Sequence, residues 1–173
     1  MTWSAPGPGG YRPRWLRGLA AVRAEHGDRL AALVGRRLSR AWVVWDQEDD
    51  EWFCDYPVVL DFDGVHIEIT HRKFDELSIT WNTLGVGRAV RWAVPGFDLA
   101  WRDDAPAELA ALKGRTLHGV ELLVWAGGDV ANGLVDLGFD FGATGYLTVF
   151  NAMDENGLDF TGPDSRQRRH PPH

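Results

Sequence analysis

Five carboxylates fall within six consecutive positions in Asp46-Gln47-Glu48-Asp49-Asp50-Glu51, and Trp45, Trp52 and Phe53 flank them. Crowded carboxylates repel one another unless a cation or a basic partner stands near. Buried aromatic anchors dominate the binding energy of protein interfaces. Asp46, Glu48, Asp49, Asp50, Glu51 and Trp52 are therefore the candidate partner-binding residues, weighed against the simpler reading of a solvated loop between two strands. Calcium fits poorly, because the run lacks the glycine and the ligand spacing of an EF-hand loop.

Other constellations are weaker. His66 and Glu68, two apart on a strand, share a face, and His71 lies within reach of a fold-back, the best set for a three-ligand zinc site. Strand faces routinely carry such letters, and the sequence assigns no metal and no cofactor. Asp61 and Asp140, and the pairs Asp75-Glu76 and Asp154-Glu155, recur at a fixed interval. Brought together, two such carboxylates would divide acid and base roles; read locally, they make turns. Cys54 stands beside Asp55 in an acidic stretch, which raises a thiol pKa and argues against a nucleophile. No catalytic residue is assigned.

The charge balance points the same way. The 173 residues carry a formal charge of −7, unevenly spread. Residues 1–24 hold four arginines and no acid, and residues 161–173 hold three arginines and one acid. Removing these ends leaves 11 bases against 24 acids between Glu25 and Phe160. A body so acidic disfavours nucleic acid and favours cationic partners. The single cysteine, the lack of a signal-peptide pattern and the absence of an 18-residue apolar run predict a cytoplasmic protein with no membrane span. Arginine outnumbers lysine 16 to 2, a coding habit of bacterial genomes rich in GC.

The elements that must position these residues come from an internal repeat. LAALVGRRL (Leu30 to Leu38) returns as LAALKGRTL (Leu109 to Leu117), seven of nine letters identical at an offset of 79. The same offset carries Leu60-Asp61-Phe62 onto Phe139-Asp140-Phe141 and Asp75-Glu76 onto Asp154-Glu155. Ile67 and Ile69 meet Leu147 and Val149 at offset 80, as a one-residue insertion in a turn or bulge requires. Each copy reads as an Ala- and Leu-rich helix, stopped by Gly35 or Gly114 and followed by apolar alternation of period two. Asp63-Gly64 predicts a tight hairpin, and Asn156-Gly157 predicts the entry to the last strand.

The expected fold is mainly β (α+β). Two pseudo-symmetric helix-plus-four-strand repeats form one antiparallel β-sandwich or barrel, with an N-terminal helix broken near His26-Gly27-Asp28. Residues 1–14 read as a flexible basic arm, 15–161 as one domain (repeat 30–82, connector 83–108, repeat 109–161), and 162–173 as a flexible basic tail. One or two strands are expected in the connector, at Arg88 to Val94 and Phe97 to Trp101. The function that follows is a non-enzymatic binding protein whose acidic surface docks a basic protein, as immunity-type inhibitors of bacterial toxins do by charge and size. The alternative is an enzyme or small-molecule binder with a pocket at the seam of the repeats, lined by Trp81, Phe160 and the turn carboxylates.

Overall fold

Ala and Leu dominate residues 19–33, and in the computed structural model the chain there winds into α1 (Gly18–Ala31). The structure describes residues 11–87, 89–90 and 94–173. Contrary to expectation, α1 runs unbroken through His26-Gly27-Asp28. A Cβ at Gly27 would collide with the Pro172 carbonyl, so this glycine serves a close backbone approach rather than a turn. Val22, His26 and Leu30 form the buried face of the helix.

The alternating stretches become two antiparallel sheets. The first contains β1 (Leu38–Asp46), β2 (Glu51–Trp52), β3 (Val58–Phe62), β4 (Val65–Arg72), β5 (Glu76–Trp81) and β6 (Leu99–Arg102). Its order is β2-β1-β3-β4-β5, with β6 on the other side of β1. A single helical turn, α2 (Ala107–Ala110), precedes the second sheet of β7 (Gly119–Trp125), β8 (Val135–Asp140), β9 (Tyr146–Asn151), β10 (Asn156–Asp159) and β11 (Gln167–His170). Its order is β10-β9-β8-β7-β11. The sheets do not close on each other, which removes the barrel alternative and leaves an arrangement consistent with a β-sandwich.

Their apolar faces share one interior. Leu38, Val43, Leu60, Phe62, Ile67 and Ile69 meet Leu122, Leu137, Phe139, Leu147 and Val149 in a continuous cluster. Phe62 stacks on Phe139 and Phe141 with ring centroids 5.8 and 6.5 Å apart. Each such side chain contributes about 1.5–3 kcal/mol by leaving water. The period of two fails at β3, where Val58, Val59, Leu60 and Phe62 are all buried. Tyr11, Leu84 and Val86 cover the outer face of this sheet over Val59, with Trp42 and Trp101 at the margin. Residues 11–14 are thus no free arm: the Tyr11 hydroxyl hydrogen-bonds Thr70 Oγ1 at 2.8 Å. Residues 1–10 lie outside the described residues.

The C-terminal segment is likewise no loose tail. Gln167–His170 pairs with Leu122–Trp125 as β11, and Arg23 donates to the Pro171 carbonyl. Of the expected connector strands, Leu99–Arg102 forms β6; Arg88 and residues 91–93 lie outside the described residues. Asp63 and Gly64 take positive φ, as a two-residue primed hairpin turn demands. The β8–β9 turn holds three residues, Gly142–Thr144, inside the bond from Phe141 N to Gly145 O; this accounts for the one-residue slip in register. Asn156-Gly157, expected at the entry to the strand of Leu158, forms the first two residues of β10, and Met153 and Asp154 take the positive φ of the turn before it. The Phe150 ring occupies the space a Cβ at Gly157 would need.

The two related nonamers bind each other. Gly35 N donates to Leu117 O at 2.8 Å, and Gly114 N to Leu38 O at 2.7 Å. Leu117 N donates to Arg36 O at 2.8 Å, and Leu38 N to Arg115 O at 2.9 Å. Exchanging both residues of a bond for those 79 positions away turns it into the other bond of its pair, and the antiparallel bridge joins Arg37 to Thr116, itself 79 positions on. Gly35 and Gly114 reach this geometry at φ of 89° and 82°, and a methyl group added at either would meet no atom within 4 Å. Gly35→Ala and Gly114→Ala should each cost about 1–2 kcal/mol through left-handed backbone strain alone, and Asn at either position less. Denaturant melts of the four variants check this, and unequal losses for the two glycines would contradict the equivalence of the turns.

Candidate functional site

β1 and β2 form a hairpin that lifts the acidic run to the surface, with Trp45 opposite Trp52 and Asp46 opposite Glu51. Asp50 takes φ of 52° at the turn, a conformation short polar side chains tolerate. Glu48, Asp49, Asp50 and Glu51 are exposed. Asp46 is not available to a partner: it is 1% exposed, and its Oδ1 accepts the Glu48 N–H, closing the turn. Trp52 is half-buried against the core, its indole nitrogen shielded. Four of the six expected residues thus stand on the surface, and two are built into the hairpin.

β6 brings acids that the linear run does not contain. It pairs with residues 43–46 of β1 and carries Asp98 before it and Asp103 and Asp104 after it. A cleft of about 520 Å³ opens between the two strands, lined by Trp45, Asp50, Trp101, Arg102, Asp103 and Asp104. The Trp45 indole N–H donates to Asp50 Oδ1 at 2.9 Å, and Arg102 Nη1 lies 3.6 Å from the same carboxylate. Arg102 holds the Asp104 carboxyl below the usual aspartate range. Phe97, 42% exposed, extends the aromatic surface, packed edge-on to Phe53 with centroids 4.9 Å apart. The sequence signal for these neighbours was the Asp98 to Asp104 stretch, but only the pairing of β6 with β1 sets it beside the hairpin.

A second cleft, of about 340 Å³, lies at the end of the other sheet. Trp125, Phe150, Asp159, Asp164 and Gln167 line it. Trp81 and Phe160, the expected walls of a seam pocket, line neither cleft: Trp81 is packed under α1, with its indole N–H on His26 Nδ1 and Arg29 over its ring. Phe160 packs against the core.

His66, Glu68 and His71, weighed as metal ligands, serve separate ends. Glu68 is fully buried and accepts from Thr83 N, Leu84 N, Thr80 Oγ1 and Thr83 Oγ1, so its lone pairs are committed to holding residues 80–84. His66 packs on Trp42 and lies 3.6 Å from Asp61. His71 points to the opposite face, into the seam between the sheets. Among the described residues no three His, Cys, Asp or Glu side chains converge. Asp61 and Asp140 each accept a backbone N–H of the following turn, from Gly64 and Gly142, as turn residues do. The Cys54 thiol is pushed up to about 12 by burial first and then by Glu155 and Asp55, which removes a reactive thiolate.

His71 joins the sheets. Its backbone N–H and its Nδ1 both donate to Asn156 Oδ1, at 2.9 and 3.0 Å, while Asn156 Nδ2 donates to Tyr56 O. The tautomer protonated at Nδ1 leaves Nε2 bare, 3.8 Å from Asp136 Oδ1. Burial drives both groups toward their neutral forms, His71 down to about 4 and Asp136 up to about 7. Each group is thus held toward its uncharged form by its own burial.

No family model, curated protein or solved structure matches this chain, so its geometry carries the functional argument. No helix among the described residues is long and apolar enough to cross a membrane.

The buried pair has a testable pH signature. His71, depressed in the fold, contributes stability that is full above its unfolded value of 6.5 and lost as pH falls through about 4. Asp136, raised in the fold, contributes stability that is full below its unfolded value of 3.8 and lost as pH rises through about 7. Between about 4 and 6.5 the two slopes cancel. His71→Asn removes one of them, and its stability should then fall by about 1.4 kcal/mol per pH unit across that window relative to the parent. Urea melts at pH 4.5, 5.5 and 6.5 check this; parallel profiles for parent and variant would show that the His71 imidazole is not depressed in the fold.

Proposed function

We propose that this chain is a non-enzymatic binding protein, built from two copies of one helix-and-strand unit, whose acidic face docks a basic macromolecular partner. The reciprocal bonds between the turns at Gly35 and Gly114 support the duplication, as does the common order of strands in β1-β3-β4-β5 and β7-β8-β9-β10. One observation carries the docking reading. Glu48, Asp49, Asp50 and Glu51 project beside Asp98, Asp103 and Asp104, around a cleft walled by Trp45 and Trp101. A face of one sign steers an oppositely charged partner and raises its association rate. Tryptophans at the centre of such a face are the residue type that anchors interfaces. Immunity-type inhibitors of bacterial toxins cover cationic active sites with acidic faces of this kind, and a basic toxin enzyme is the partner class this face suits.

Capture on the immobilised protein tests the reading. A partner with a basic isoelectric point should be held at low salt and released at high salt. For the purified pair, Glu48→Gln with Asp49→Asn and Glu51→Gln should slow association about tenfold and change dissociation less than twofold. A partner whose retention ignores both salt and these three charges would overturn the proposal.

A further inference from the structure

The two clefts are assembled from the same parts. Beside Trp45, the Arg102 guanidinium lies 5.0 Å from the indole centroid and forks onto Asp104 through Nε and Nη2 at 2.8 and 3.0 Å. Beside Trp125, the Arg166 guanidinium lies 4.5 Å from the indole centroid and forks onto Asp164 through Nε and Nη2 at 3.0 and 3.2 Å. Both indoles donate to a carboxylate in the following loop, Trp45 to Asp50 and Trp125 to Asp129, each at 2.9 Å. Trp45 and Trp125 stand at the far ends of β1 and β7. Each arginine belongs to, or immediately precedes, the edge strand added to that strand, β6 or β11.

Carboxylates gather at both clefts. Asp50, Asp103 and Asp104 line the first cleft with Arg102, Asp103 also lying 3.7 Å from Arg40, while Asp159 and Asp164 line the second and Arg166 pairs with Asp164 beside it, over the Trp125 ring. A tryptophan face attracts a cation, and the surplus of negative charge admits a second one. Neither likeness was legible in the repeat, because Ala126-Gly127-Gly128-Asp129 keeps only one acid of the run at Asp46 to Glu51 and the two arginines are not related by an offset of 79.

We propose that the indole faces of Trp45 and Trp125, beside the two clefts, are cation sites of one kind, one per sheet, each taking an arginine side chain of a basic protein segment, and that Arg102 and Arg166 occupy them in cis as the partner's arginines would. The proposal rests on the docking reading and extends it from one site to two. The resident pairs are exposed ion pairs, which hold weakly and yield to a competitor. A tethered competitor acts at an effective concentration in the millimolar range. Removing it from a site of millimolar affinity should therefore tighten that site about tenfold.

The test is an NMR titration of the full chain with the peptide acetyl-Gly-Gly-Arg-Gly-Gly-amide, reading the indole N–H resonances of Trp45 and Trp125. Both should shift saturably, with dissociation constants within about threefold of each other. Arg102→Gln should tighten the Trp45 site about tenfold and leave the Trp125 site within twofold; Arg166→Gln should do the converse. Lys113→Gln removes one positive charge beyond the other end of β7 and should leave both sites within twofold, which separates local competition from net charge. Unshifted resonances elsewhere show that each variant is folded. A response at Trp45 alone overturns the second site and leaves the docking reading standing. Arginine variants that tighten no more than Lys113→Gln overturn the occupancy in cis. Silence at both indoles, with a salt-sensitive partner still captured, overturns the two clefts but not the acidic face.

Discussion

A sheet of five or six short strands has an apolar face that must be covered, and neither sheet here has enough chain of its own to cover it. Phe62 of the first sheet stacks on Phe139 of the second and on Phe141 just beyond its strand. The four backbone bonds between the turns at Gly35 and Gly114 fix how the two faces meet. Everything outside the interior follows from that registration: the helix α1 lies along β7, the seam closes through His71 and Asn156, and the free edges of β1 and β7 take up β6 and β11.

The polar groups inside obey the same constraint. A buried carboxylate must be surrounded by donors or hold its proton. Glu68 takes the first course, with four donors from residues 80–84, and so pins that segment over the first sheet. Asp136 combines both, accepting from Asn151 N and Gln167 Nε2 while burial pushes it up to about 7. These are structural uses of residues whose types suggest chemistry. The groups left for function are those that the edges expose: the hairpin acids, the tryptophans at the strand ends, and the arginines that lie on them.

Much of the scaffold was legible because local rules and tertiary demands agree. Asp63-Gly64 makes the predicted hairpin, since only that turn matches the twist of β3 and β4. Gly35 and Gly114 take the left-handed conformation that the repeated nonamer implies, although the helices before them already end at Ala31 and Ala110. The failures share a cause. Gly27 looked like a break in the helix, yet it is small because the Pro172 carbonyl packs on it. Residues 162–173 looked mobile because Pro, Gly and Arg dominate them; the open edge of β7 offered hydrogen bonds that composition does not record. Asp46 looked like its exposed neighbours and is buried, because the hairpin turns its carboxylate back onto the Glu48 N–H.

The strand and turn pattern, the acidic character of the body and the recurrence at offset 79 could all be read along the chain, since periodicity, φ preference and charge are properties of neighbouring residues. Folding in three dimensions settled which acids share a face, which carboxylates are consumed as turn and core partners, and that Trp45 and Trp125 each lie under an arginine beside a cleft. Those outcomes depend on which edge a strand joins and which face another segment covers, and such contacts are made between residues far apart in the chain.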